Sequence, residues 1–138
     1  MSDTPVSENK YPLLFSPLVS GRLRLRNRIL HASMTTRRVV DQRVTPGMVQ
    51  YYANRARGGA ALVVSEPLNM SRLQQAAHKV RVWNDDNLEG LQRWAAAVEG
   101  EDCRLLGQVQ DSGRGRHERG RNPAAIGVSS LPDDLSWT

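Results

Sequence analysis

The run AALVVSE, from Ala60 to Glu66, constrains the fold more than any other part of the chain. It is apolar and β-branched as far as Ser65, with no alternation between apolar and polar positions. Strands of that kind are buried on both faces, which points to a parallel sheet. Parallel neighbours need a crossover element, and the sequence supplies one on each side. Upstream, Thr45 stands at an N-cap position, Pro46 follows at the first helical position, where its missing N–H costs nothing, and Gly58–Gly59 end the segment. Met48, Tyr51, Tyr52 and Ala56 can form one face of that helix. Downstream, Asn84–Asp85 can cap a second helix, which carries Leu88, Leu91, Trp94, Ala95 and Val98 at helical spacing and ends near Gly100. Apolar runs at Ile29–Met34 and Cys103–Gln110 supply the strands before and after. The order is β-α-β-α-β, an α/β arrangement with helices packed outside parallel strands.

Before this unit, LVSGRLRLRNRIL alternates apolar and basic residues through Leu23 and Leu25, the period of a hairpin or strand with one face in water. Residues 1–12 are polar, carry Pro5 and Pro12, and read as a flexible arm preceding a single domain over 13–138. A chain of 138 residues, 39% hydrophobic and 24% charged, has the size and balance of one globular domain.

The formal charge is +5, and only Lys10 and Lys79 among the 19 basic residues are lysine. Such a balance raises the possibility of a polyanion-binding module, with Arg114, Arg116, Arg119 and Arg121 as its densest cluster. No aromatic residues interleave that cluster as single-strand binders require, which weighs against nucleic acid. Cys103 is the sole cysteine, and His31, His78 and His117 have no ligand-like spacing, so no metal site is expected. No apolar run approaches the roughly 20 residues of a membrane span, and the first residues, MSDTPVSENKYP, lack a signal-peptide pattern. The expectation is a soluble cytoplasmic protein.

Spacing alone leaves open whether the strands belong to a doubly wound sheet or to a closed barrel. In both, ligands meet the carboxyl ends of the strands. Those ends are Ser33–Thr36, Ser65–Leu68 and Gln108–Arg114. Neither GxGxxG nor a P-loop is present, because the first strand is followed by Thr35–Thr36–Arg37–Arg38 and the glycines after Gln110 have the wrong spacing. The polar groups placed there are the Thr35 hydroxyl, the Gln108 amide and Glu66, a set suited to a heteroaromatic ring with alternating donors and acceptors. The alternative is that Thr35 and Gln108 satisfy only loop backbone groups.

Three stretches, taken together and in order, carry a resemblance. LFSPLVSGRLRLRNRILHASMTT (14–36), YYANRARGGAALVVSE (51–66) and QVQDSGR (108–114) resemble the old yellow enzyme family of FMN-dependent NADH:flavin oxidoreductases. The family patterns are LF-x-P with L-x-NR and A-P-M-T, then YYA-x-RA-x-GG with a strand ending in S/T-E, then Q-x-x-H-x-GR. The resemblance implies the N-terminal part, about three βα units plus a hairpin, of a (β/α)8 TIM barrel. It implies FMN as cofactor, NADH or NADPH as hydride donor and an electrophilic alkene as small-molecule substrate. Ser33, Met34 and Thr35 would lie beside the flavin, Thr35 near O4 and N5, with the Pro67 backbone at the ring's polar edge and Gln108 at O2 and N3.

Departures from the pattern are Ser33 for proline, Glu99 where histidine is frequent, and Asp111 for histidine. The family's proton donor and substrate-binding histidine are expected beyond Thr138, so no catalytic residue is assigned. The chain reads as an N-terminal portion, inactive on its own or without independent function. Arg116 and Arg119 are candidates for steering an anionic nicotinamide cofactor.

Overall fold

The computed structural model describes residues 10–72 and 76–111 in full, and 116–117 and 120–121 as backbone. The chain opens with the expected hairpin, β1 (Leu18–Ser20) paired antiparallel with β2 (Leu23–Leu25), Leu18 opposite Leu25. Its turn places Gly21 at φ +56°, a left-handed conformation that glycine adopts without a Cβ penalty. The residues after β2 anchor the hairpin to the rest of the molecule. Arg26 Nη2 donates to the carbonyls of Ala56 and Ala60, and Asn27 Nδ2 donates to Gly59 O at 2.8 Å. Asn27 Oδ1 accepts in turn from Ile29 N. Arg28 reaches back, its backbone N–H to Leu14 O and its Nε to Ser16 Oγ.

Next come β3 (Leu30–His31), helix α1 (Pro46–Arg57), β4 (Leu62–Val64), β5 (Leu68–Asn69), a single 3₁₀ turn at Asp85–Asn87, helix α2 (Leu88–Glu99), β6 (Arg104–Leu106) and β7 (Val109–Gln110). Strands β3, β4 and β6 form a parallel sheet in that order, with Val63 beside His31 on one side and Leu105 on the other. The β5–β7 pair, also parallel, follows the β4–β6 pair along the chain, Leu68 beside Val109. The predicted β-α-β-α-β order is therefore present, with strands shorter than the apolar runs and the Cys103–Gln110 run split into β6 and β7.

Helix α1 begins as expected: the Thr45 hydroxyl accepts from Met48 N at 3.2 Å and donates to Arg38 O at 2.7 Å. Replacing Thr45 by alanine removes this cap and leaves Met48 N–H and Arg38 C=O without it. The expected loss is about 1 kcal/mol, read as a lower urea midpoint with unchanged slope.

One core joins both helices to the sheet: Met48, Tyr52 and Ala56 from α1, Trp94 and Val98 from α2, Val63 from β4 and Cys103. Details of the faces differ from the sequence reading. Ala53 is buried in α1, whereas Tyr51 is only half-buried. In α2, Leu88 is 51% exposed and Gly90 takes an inward position instead, where an added Cβ would meet Val44 Cβ at 3.0 Å. Asn84 precedes the 3₁₀ turn without a side-chain cap bond. The residue before α2 proper is Asn87, whose Nδ2 is engaged by Gln42 O and Arg81 O.

The sheet is also more one-sided than expected. Val63 is wholly buried on the helix side, while Leu62 and Val64 on the other face are half-buried. Their register neighbours Leu30 and Leu106 are 52% and 53% exposed. An apolar inner face of this kind is what barrel strands turn toward the barrel interior.

Past Asp111, β8 (Arg116–His117) and β9 (Gly120–Arg121) pair antiparallel within the basic stretch. Residues 1–9 of the arm and Arg114 and Arg119 of the basic cluster lie outside the described residues, as do the side chains of Arg116 and Arg121.

Candidate functional site

The carboxyl ends of β3, β4 and β6 meet around two buried residues, Ser65 and Glu66, both at most 1% exposed. They follow β4, the central strand, and so can reach both neighbours. Ser65 N–H extends the parallel ladder to Leu106 O at 2.8 Å. Its hydroxyl accepts from Gln108 N at 2.9 Å and donates to Glu66 O at 2.8 Å. On the opposite flank, Glu66 Oε2 accepts from Thr36 N at 2.6 Å, and Glu66 N donates to the Tyr52 hydroxyl from α1, also at 2.6 Å. Leu68 N then donates to Gln108 O, which starts the β5–β7 pair. Two adjacent residues, through their side chains and backbone amides, thus tie three strand ends and one helix together.

These bonds bring the sequence-predicted residues to one edge of the sheet. Thr35 shares its peptide with the bonded Thr36 amide, Pro67 follows Glu66, and the Gln108 amide is itself bonded. The side chains of Thr35 and Gln108 are exposed, Met34 is 58% exposed, and Ser33 and Pro67 are half-buried. Among the described residues neither the Thr35 hydroxyl nor the Gln108 side-chain carboxamide makes a hydrogen bond. Neither side chain serves a nearby backbone group among the described residues. Of the departures from the family pattern, Asp111 is exposed directly after β7, and Glu99 is exposed at the far end of α2.

Two partners of the site were not singled out from sequence. Tyr52 was placed on the core face of α1, but its hydroxyl serves the Glu66 amide. Lys79 lies half-buried, with Nζ donating to Gln110 Oε1 at 2.8 Å beside the β5–β7 pair. Tyr52 had a visible signal, being a tyrosine on an otherwise apolar face, since a buried phenol needs a partner. Lys79 had none.

The electrostatics beneath this edge are those of a buried support. Burial pushes the Tyr52 phenol well above the usual tyrosine range. Burial, aided by the Arg55 guanidinium, pulls His31 below the usual imidazole range, and its Nδ1 is buried without a partner among the described residues. His31 packs edge-on against both Tyr51 and Tyr52, with ring centroids 6.0 and 6.1 Å away. The Cys103 thiol is buried and pushed up, which makes it a packing residue rather than a nucleophile. Among the described residues no group of three or more His, Cys, Asp or Glu could hold a metal ion, and no helix is long and apolar enough to cross a membrane.

Comparison with known proteins bears on the family and the fold. Residues 13–135 match the NADH:flavin oxidoreductase / NADH oxidase family. A metal reductase of Desulforamulus reducens is 33% identical over 124 residues, which cover 90% of this chain and 19% of that protein. An NADPH dehydrogenase of Bacillus cytotoxicus is 30% identical over 125 residues, covering 88% of this chain and 36% of its own length. Among solved structures, an old yellow enzyme homologue from Zymomonas mobilis superimposes with a TM-score of 0.67 at 28% identity, over 75% of this chain and 29% of that one. The chain thus spans well under half the length of the relatives it matches.

Proposed function

The chain belongs to the NADH:flavin oxidoreductase / NADH oxidase family, and from that premise we propose that it forms the flavin-contacting N-terminal part of an FMN-dependent oxidoreductase of the old yellow enzyme type. Residues 13–138 would be the first part of the (β/α)8 barrel domain, preceded by an arm at 1–12. One observation carries this reading. The Thr35 hydroxyl and Gln108 carboxamide stand unengaged among the described residues at the strand ends that flank β4, while the backbones that bear them are pinned by Glu66 and Ser65.

That donor set fits a flavin. A hydroxyl and a carboxamide, each able to donate and to accept, match the polar edge of an isoalloxazine ring. Thr35 would hold the O4–N5 side and Gln108 the O2–N3 side, with the Ser33–Met34 and Pro67 backbones against the ring. The chemistry that bound FMN supplies is transfer of a hydride from NADH or NADPH to an electron-poor alkene. This chain's own residues bind and orient. Thr35, by donating where negative charge collects on reduction, would favour the reduced ring and raise its potential. No residue here is proposed as the proton donor.

Titrating the purified chain with FMN tests the reading. Addition of the chain is expected to shift and sharpen the visible flavin band. In the Thr35→Ala, Gln108→Ala double variant the dissociation constant should rise by more than about tenfold, the equivalent of roughly 1.4 kcal/mol. No spectral change at saturating FMN, or one indifferent to the double substitution, would overturn it.

A further inference from the structure

The hydrogen bonds under the candidate flavin edge run through one pair of residues. Ser65 and Glu66 sit at the end of the central strand, and each serves a different neighbour. Glu66 reaches an amide 30 residues upstream, and Ser65 one 43 residues downstream. The two amides they hold are those of Thr36 and Gln108. One lies in the peptide that follows Thr35, and the other belongs to Gln108 itself. We infer that Ser65 and Glu66 are positioning residues that together set the spacing of the Thr35 hydroxyl and the Gln108 amide across the strand ends.

Several features separate this role from ordinary core filling. Glu66 is 1% exposed, yet only one of its carboxyl oxygens has a partner among the described residues, Oε1 having none. A buried carboxyl is costly to keep, and an apolar residue of similar volume would pack the same space without that cost. What an apolar residue cannot do is accept the Thr36 amide, which would otherwise be left unsatisfied. The Ser65 hydroxyl, similarly, both accepts and donates, so its orientation is fixed by the Glu66 carbonyl before it meets Gln108 N. Glu66 N is in turn held by Tyr52 from α1, and the pair therefore refers both loops to the helix layer. A segment such as 32–36, which belongs to no regular element, has no ladder of its own to fix it. The Glu66 carboxyl supplies that fixed point.

This role rests on the flavin reading above for its ligand, though not for its geometry, and two measurements on the intact chain separate them. Glu66→Met removes the acceptor at nearly constant volume, Glu66→Gln restores an acceptor oxygen, and Ser65→Ala removes the hydroxyl alone. Amide hydrogen exchange, which needs no flavin, is expected to quicken at least about tenfold at Thr36 in Glu66→Met and at Gln108 in Ser65→Ala. FMN should bind both variants roughly tenfold more weakly and with an altered visible band. Glu66→Gln should return to within about threefold of the starting affinity. A melting temperature lowered equally in Glu66→Met and Glu66→Gln, without this split in affinity, would mark a merely structural residue and sink the proposal. So would unchanged exchange at both amides, or unchanged FMN affinity in a chain that binds FMN normally before substitution. If the unsubstituted chain takes up no FMN, the flavin reading falls and this role falls with it. Should Glu66→Met not fold, Ser65→Ala decides by the same two measurements.

Discussion

Trp94→Ala is expected to lower the stability of the chain by about 3–5 kcal/mol, a large share of the roughly 5–15 kcal/mol that holds a domain together. Trp94 is 1% exposed on α2 and packs against the Tyr52 ring at 4.7 Å between centroids. It shares its core with Val63, Val98 and Cys103, so truncation opens a cavity where both helices meet the sheet. The neighbours that could collapse into it are few, because Val63 is held in the ladder between β3 and β6. Urea denaturation should show the midpoint fall sharply, with loss of a cooperative transition if the remaining margin is small. Trp94→Phe gives an internal control. It keeps a ring, and it also removes an indole N–H that is buried without a partner among the described residues. Its cost should be less than half that of alanine. Equal costs would show that the ring's volume is not what matters.

Much of this architecture was legible because its signals are local. The N-cap at Thr45, the glycines ending α1 and the apolar run at β4 each specify structure over a few residues, and each took the expected form. The parallel pairing followed from the crossovers, and the hairpin from the alternation through Leu23 and Leu25. Errors fell where a neighbour decides. Leu88 carries a helical spacing compatible with burial, but Gly90 occupies the position against Val44, and the face rotates accordingly. Asn84 looked like a cap, yet the chain inserts a 3₁₀ turn and engages Asn87 with two carbonyls from other segments. No local pattern encodes those partners.

The site divides in the same way. Thr35 and Gln108 were recognisable as polar groups at strand ends, and in the structure they follow the two strands that flank β4, with side chains that make no hydrogen bond among the described residues. What holds them was not readable. Glu66 stood out as a charge ending an apolar run, but its partner Thr36 is supplied by another strand end and the Gln108 bond to Ser65 by a third. Burial on both faces was likewise inferred for Ala60–Glu66 from composition. The structure covers the helix side and leaves Leu30 and Leu106 half open on the other. Barrel strands carry apolar residues on that inner side too, so the sequence signal reports the parent architecture rather than the coverage within these residues.

Tyr52→Phe joins the core to the site, and its effect should depend on pH in a way no packing change would. The phenol oxygen is the acceptor for the buried Glu66 amide. Phenylalanine keeps the ring contacts with Trp94 and Tyr51 but leaves that N–H unsatisfied, at a cost of about 1–3 kcal/mol. Burial holds the Tyr52 phenol protonated well above the usual tyrosine range. A group whose folded pKa is raised contributes stability that is complete below its unfolded pKa, near 10 for tyrosine. That contribution is lost as pH rises from there toward the folded value, because the unfolded chain releases the proton first. The slope for one such group approaches roughly 1.4 kcal/mol per pH unit. The native chain should therefore lose stability above about pH 10 more steeply than the Phe variant, and the gap between them should narrow from its full value at pH 7. Urea midpoints at pH 7, 9 and 10.5, taken in parallel for both proteins, measure that gap. A constant difference across the three would mean that the Tyr52 hydroxyl is open to solvent in the working fold, and that Glu66 is held by something other than α1.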